Sequence, residues 1–412
     1  MEYVYRSTTY RLLPCTRAKH SKLMQVTGAC IWAWNRMLAL NEQEYMFHER
    51  LPWLVPAPST SFFSLGKQFT VLRGKTEWLQ KLPANPVKYA LKRQADAWQK
   101  FFKGQGGRPK YKSKHQERSV TFPEPAHFER SGNSLRLQKL GWFRLARRGG
   151  DPYKDCEART VTIKQDCGKW YAVVLYRVPA HEAERSDDGL AVGVDMNVGQ
   201  VATSDGEIIR LGKARMERLE ARKRRYQRRM ARQVKGSNRR SVTKRRLSKV
   251  CRNIRCHRDN WQHHASKRIA EKAGTVVIEA LNTKGMTASA KGDAENHGKN
   301  VRQKAGLNRS ILNTGWGSLK HKLGYKSHRL IEVDARYTSQ ACSVCGFVDA
   351  GNRTTQADFE CLACGHKDNA DVNAALNILA LGTGATGRGG GGVARPVKRQ
   401  HMGESASADF AT

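Results

Sequence analysis

Two Cys-x-x-Cys pairs, Cys342/Cys345 and Cys361/Cys364, constrain this chain more than any other feature. Fifteen residues separate them, a spacing that lets two short knuckles close on one metal ion. Four thiolates make a closed tetrahedral zinc site with no open position for chemistry, so the pattern predicts a structural zinc ribbon rather than a catalytic metal. A disulfide framework is the competing reading. It loses, because residues 1–6 hold no apolar signal-peptide core and the other six cysteines (Cys15, Cys30, Cys156, Cys167, Cys251, Cys256) are scattered like reduced intracellular thiols. Directly after the second pair, Asp371 opens a run of good helix formers with apolar residues at helical spacing, which puts an acid near the start of a helix.

At 412 residues, with 39% hydrophobic content and nine tryptophans, the chain has the composition of several folded domains. Its 74 Lys+Arg against 36 Asp+Glu give a formal charge of +38. Such an excess implies a large polyanionic partner whose counterions are released on binding, and nucleic acid is the leading candidate. No run of eighteen apolar residues occurs, so no membrane partner is expected.

In chain order, residues 4–13 alternate as a strand, and from residue 21 to 45 Leu23, Val26, Cys30, Trp34, Leu38 and Tyr45 recur at helical spacing. Helical segments follow at residues 62–72 and 86–102. In the second, Asn85 reads as N-cap with Pro86 at the first helical position, and Val87, Leu91, Trp98 and Phe101/Phe102 read as a core-facing stripe. The glycine-rich loop after it presents Arg108, Lys110, Lys112 and Lys114 to phosphate. Residues 119–178 are strand-like, with a hairpin turn at residues 166–169. Residues 1–18 and 106–180 are therefore expected to form one β-barrel domain carrying residues 19–105 as a helical insertion. Residues 181–189 are the linker, and residues 383–412, glycine-rich and poor in apolar groups, a disordered tail in which Arg388, Arg395, Lys398 and Arg399 are available to RNA.

The second half gathers acids. A buried apolar strand ends on Asp195 and pairs back through an Asp205-Gly206 hairpin signal, and the strand at residues 275–279 ends on Glu279. A carboxylate in such a strand is costly unless it is paired or binds a cation. Between Lys213 and Lys249 lie seventeen Lys/Arg against Glu217 and Glu220, the densest basic stretch, with Arg222, Arg225 and Arg229 as candidate phosphate contacts. A third strand at residues 329–334 precedes the cysteine module, which Arg336, another candidate contact, introduces. Acids at the ends of two central strands and at a helix start, in the order hairpin, helix, strand, helix, give a ribonuclease-H-like α/β layout. Converging there, Asp195, Glu279 and Asp371 would hold two Mg²⁺ ions about 4 Å apart for phosphodiester hydrolysis. Residues 190–335 and 366–382 would form this domain, with residues 336–365 inserted as the ribbon.

The stretches GVDMNVGQVATSDG, VVIEALN, VDARYTSQACSVCG and FECLACGHKDNADVNAALNIL, with GGRPKYKSK and GKWYAVVLYRV upstream, resemble the TnpB family of transposon-encoded RNA-guided nucleases, related to type V CRISPR effectors. The resemblance implies a multidomain α/β protein: a RuvC-like nuclease domain with catalytic and magnesium-binding Asp195, Glu279 and Asp371, and a zinc ribbon on Cys342, Cys345, Cys361 and Cys364. A β-barrel wedge domain with a helical recognition insertion would precede it. The implied partners are one guide RNA per chain, made from the element end, and double-stranded target DNA cut beside a short motif, in the cytoplasm and nucleoid of a prokaryote. Two further readings stand beside this one: a nuclease-inactive RNA-guided DNA-binding regulator, and an unguided structure-specific nuclease.

Overall fold

The computed structural model describes residues 2–13, 16–113, 119–147, 150, 152–180, 187–293, 296–334, 336–353 and 355–384, and the backbone of Arg395–Pro396. Contacts divide the chain into two compact units, Met1–Ala183 and Glu184–Thr412.

In the first unit, β1 (Tyr3–Leu13) alternates so that Thr8, Tyr10 and Leu12 face inward. Four helices follow: α1 (Arg17–Arg50), α2 (Phe62–Gly74), α3 (Glu77–Gln80) and α4 (Ala84–Phe102). Thr16 caps α1 by accepting from Lys19 N, and Ser61 caps α2 by accepting from Ser64 N. The chain then returns as β2 (Ser119–Phe122), β3 (Phe128–Ser131), β4 (Ser134–Leu137), β5 (Gly141–Ala146), β6 (Glu157–Asp166) and β7 (Lys169–Pro179). The seven strands form one antiparallel sheet in the order β2-β6-β7-β1-β5-β4-β3. The expected barrel is therefore a half-barrel: among the described residues no ladder joins β2 to β3. The β6–β7 hairpin turns on Cys167 (φ 49°) and Gly168 (φ 79°), the two positive φ values of a type I′ turn. One core joins the sheet to the helices, with Leu23, Val26 and Met37 of α1, Phe69 of α2 and Leu91 of α4 against Phe143, Ile163 and Val174.

Two expectations for α4 fail. The N-cap is Pro83, not Asn85, and Pro86 sits at the third helical position. That is tolerated because the first four N–H groups of a helix have no intrahelical partner. Asn85 instead turns its amide onto the His127 ring. The aromatic stripe also divides. Trp98 is buried, whereas Phe101 and Phe102 stay 38% and 64% exposed beside it.

The second unit is built on a mixed sheet. The strands are β8 (Ala191–Asn197), β9 (Gln200–Thr203), β10 (Ile208–Arg210), β11 (Thr275–Glu279) and β12 (Arg329–Val333). β8, β11 and β12 run parallel, and β9 and β10 fold back antiparallel through the tight turns at Gly199 and Gly206. Parallel neighbours demand crossovers. Between β10 and β11 runs a helical hairpin, α5 (Lys213–Ala231) and α6 (Asn238–Lys272), and between β11 and β12 come α7 (Thr283–Met286), α8 (Val301–Thr314) and α9 (Trp316–Lys326). The start of α6 packs Val250 and Ile254 on Tyr226 of α5, while its end packs Trp261, Ala265 and Ile269 onto the sheet. After β12 come a small ladder of β13 (Asp358–Glu360) with β14 (Lys367–Asn369), then α10 (Ala370–Thr383). Of the tail, Arg395–Pro396 form a two-residue strand against β12; Arg388, Lys398 and Arg399 lie outside the described residues.

Helix α10 crosses β8 at contact distance, and Gly193 permits this. A Cβ there would lie 2.0 Å from the Ala375 carbonyl oxygen and 2.8 Å from Leu379 Cβ. Backbone cannot yield as a flexible side chain does, so Gly193→Ala should cost about 3 kcal/mol in urea unfolding. An unchanged midpoint would contradict this packing.

Candidate active site

The fold brings the three predicted acids together. Asp195 lies in the buried middle of strand β8, opposite Ala202. Glu279 ends β11, and Asp371 is the second residue of α10, where Asn369 caps the helix by accepting from Asp371 N and Val372 N. An acid in that first turn is favoured by the helix dipole. All three side chains are buried. Burial first, and then the charges of Glu279 and Asp371, push the Asp195 carboxyl up to about 8; burial pushes Glu279 up to about 7.

Four donors hold these carboxylates. Asn197 Nδ2 donates to Asp195 Oδ2 at 2.6 Å, Gln200 Nε2 to Asp371 Oδ2 at 2.6 Å, and Thr338 Oγ1 to Glu279 Oε1 at 3.3 Å. The fourth is charged: Arg353 Nη2 reaches Asp371 Oδ1 at 3.3 Å. None of the four stood out in the sequence. Arg353 sits among polar residues between the cysteine pairs. For Asn197, an amide two positions from a buried strand acid was the available signal.

The cysteine module has two matching knuckles. Cys342 N donates to Phe347 O and Gly346 N to Cys342 O; Cys361 N donates to His366 O and Gly365 N to Cys361 O. The four Sγ atoms lie within 4.8 Å of one another, with Cys342–Cys364 at 3.7 Å and Cys345–Cys361 at 3.5 Å. A tetrahedron with 2.3 Å metal–sulfur bonds has edges of about 3.8 Å, so the thiols fit one ion of that kind. No other set of three or more ligating side chains, the acids included, gathers so tightly among the described residues. The acids offer only oxygen, the donor type of a hard cation, and their shared burial leaves a charge that a cation would neutralise.

The module is seated on the helix that carries Asp371. Asn373 Oδ1 accepts from Ser343 N, Asn373 Nδ2 donates to Ala341 O, and Asn377 Nδ2 donates to Thr338 O and Ala341 O.

The other predicted contacts are distributed. Arg222, Arg225 and Arg229 are exposed along α5. Arg336 is exposed and paired with Asp334 at 2.7 Å. In the first unit Arg108 pairs with Glu42, and Lys110 is exposed. Lys112 turns inward against expectation: its ammonium lies 3.3 Å from the Trp34 ring centroid, and Asn35 bonds both its backbone N–H and its carbonyl. Cation–π attraction and this clamp outcompete solvent. Lys114 lies outside the described residues.

Comparison with known proteins agrees with this frame. The profile described as "Probable transposase" matches residues 173–290, and that described as "Cas12f1-like, TNB domain" matches residues 316–378. The chain is 31% identical over 376 residues to "Putative RNA-guided DNA endonuclease InsQ" of Escherichia coli (strain K12), covering 88% of each. To a "Putative RNA-guided DNA endonuclease" of Streptomyces pristinaespiralis it is 28% identical over 408 residues, covering 95% of this chain and 92% of that one. The structure titled "Cryo-EM structure of the Cas12f1-sgRNA-target DNA complex" shares its fold at a TM-score of 0.55 and 13% identity, covering 86% of this chain and 81% of that one. An α/β sheet with clustered buried acids and a four-cysteine module is the class thus defined. The chain belongs to the TnpB family. No helix among the described residues is long and apolar enough to cross a membrane.

Two measurements check the site. Because metal affinity is folding energy in such modules, Cys361→Ser should lose the bound metal and lower the melting temperature; unchanged metal content and melting would contradict the four-thiol site. The acids set a pH dependence. The Asp195 and Glu279 carboxyls are pushed up to about 8 and about 7 when folded, against about 4 when unfolded, so between those values the native state binds more protons. Stability of the chelator-treated protein should therefore fall as pH rises from about 4 to about 8, and Asp195→Asn should flatten that slope. A wild-type stability that rises through the window would contradict it.

Proposed function

We propose that the chain is an RNA-guided DNA endonuclease with a RuvC-like, ribonuclease-H-type nuclease domain, cutting double-stranded DNA at Asp195, Glu279 and Asp371. The observation that carries this is the gathering of three buried carboxylates from two parallel strands and one helix start, with burial raising both Asp195 and Glu279 and like charge raising Asp195 further. Carboxylates so placed are matched to a divalent cation and have no evident structural use. Two Mg²⁺ ions, when bound, would supply an activated water and charge neutralisation at the leaving oxygen of a phosphodiester. The chain's own part is to hold the carboxylates in register. Asn197, Gln200 and Thr338 fix one oxygen each, and Arg353 offsets part of the negative charge.

Zinc in the four-thiol module would fix the loop that presents Thr338 and Arg353. The exposed arginines of α5 and the charge of +38 suit the phosphates of a guide RNA and its target. In such a division of labour, base pairing reads the sequence, and the protein grips the duplex backbone and reads only a short adjacent motif. The names of the InsQ and Streptomyces relatives support guidance by RNA, and the transposase profile supports a guide made from a transposon end.

Asp195→Ala should abolish cleavage of a matched DNA duplex while leaving binding of the co-purified RNA within twofold of wild type. If that variant also loses its RNA, Asp195 has a folding role and the assignment fails.

A further inference from the structure

The two-residue turn between β8 and β9 reaches two of the three acids at once. Asn197 leaves β8 and turns its amide back on Asp195 Oδ2; Gln200 enters β9 and reaches Asp371 Oδ2, both at 2.6 Å. A carboxylate only accepts, so each amide must present its N–H₂. The turn itself is tied down. Gly199, at φ 79°, donates its N–H to Thr314 Oγ1 at 2.9 Å and accepts from Leu211 N at 2.8 Å. The Asn197 carbonyl accepts from Trp316 Nε1 at 3.2 Å. Thr314 and Trp316 flank Gly315, the left-handed joint between α8 and α9, and buried Gln262 of α6 donates to both the Thr314 and Gly315 carbonyls, at 2.7 and 3.0 Å.

We infer that Asn197 and Gln200 are positioning residues, which orient Asp195 and Asp371 for divalent cations through a turn anchored on the α8–α9 joint. This rests on the nuclease reading above and adds to it the groups that set the geometry. A neutral amide suits the task. It fixes the rotamer of an acid by occupying one oxygen, yet brings no positive charge to compete with the incoming cation. At Asp371 the other oxygen already faces the Arg353 guanidinium at 3.3 Å, so a second cationic donor in place of Gln200 would leave that acid little charge for a metal ion. Neither amide would touch the substrate; each acts through the carboxylate it holds. Partners that orient a metal ligand typically contribute ten- to a hundredfold in metal affinity.

The test is Mn²⁺ binding to the full chain dialysed free of Mg²⁺ with its four-thiol metal retained, read by electron paramagnetic resonance and so independent of cleavage. The variants are Asn197→Leu and Gln200→Met, which keep side-chain volume and remove the donor. Val198→Ala, in the same turn but 45% exposed, is the control, and thermal melts accompany each protein. The inference predicts at least a tenfold rise in the Mn²⁺ dissociation constant for both variants, unchanged melting, and wild-type affinity for the control. Wild-type affinity in both variants overturns it, as does a weakening that only follows a lost melting temperature, since the amides would then be structural. A wild-type chain that binds no Mn²⁺, or binds it equally after Asp195→Ala, overturns the nuclease reading beneath it, a result distinct from failure of the positioning alone.

Discussion

The second unit depends on placing three carboxylates where they repel one another and are poorly solvated. Burying one acid without a partner is already unfavourable, and here burial and like charge act on Asp195 together. The surrounding structure can be read as the means of bearing that cost. Parallel strands β8 and β11 are buried by the α5–α6 crossover on one side and by α10 on the other. Gly193 lets α10 come close enough to bring Asp371 to the strand acids. Neutral donors from the β8–β9 turn and from Thr338 then fix one oxygen of each carboxylate, and the only charged donor among the four is Arg353, on Asp371.

The cysteine module takes on a different meaning in this setting. Read alone, it is a small metal-stapled fold. In the structure it is bonded to α10 by Asn373 and Asn377; the segment before its first cysteine pair delivers Thr338 to Glu279, and the segment between the pairs delivers Arg353 to Asp371. Whatever holds the four thiols together thereby also holds two of the groups that contact the acids. The cysteine module and the acids thus share one mechanical support, α10.

Much of this was legible in the chain, for physical reasons that can be named. A closed four-thiol site needs a fixed spacing, so it shows in the sequence. An acid ending a β-branched strand violates the rule for buried positions, so Asp195 and Glu279 stand out. Period-2 and period-3.6 patterns located β1 and α1. Other features depend on distant residues. Asn85 has good N-cap chemistry, but Pro83 ends the preceding segment two residues earlier and the helix starts there. Lys112 reads as a phosphate contact until Trp34 and Asn35, nearly eighty positions away, draw it inward. The seven strands predict a barrel, yet whether its edges join is decided by ladders that no local pattern encodes. Arg353 and Gln200 meet Asp371 only through tertiary packing, and nothing in their neighbourhood marks them.

The account stands on the three acids forming one cation site. Crystals of the full chain soaked in Mn²⁺ and measured at the manganese absorption edge test this most directly. Two anomalous peaks about 4 Å apart, bounded by Asp195, Glu279 and Asp371, are the predicted result. An anomalous map without a peak among those carboxylates, in crystals whose four-cysteine site carries its own metal signal, would contradict it.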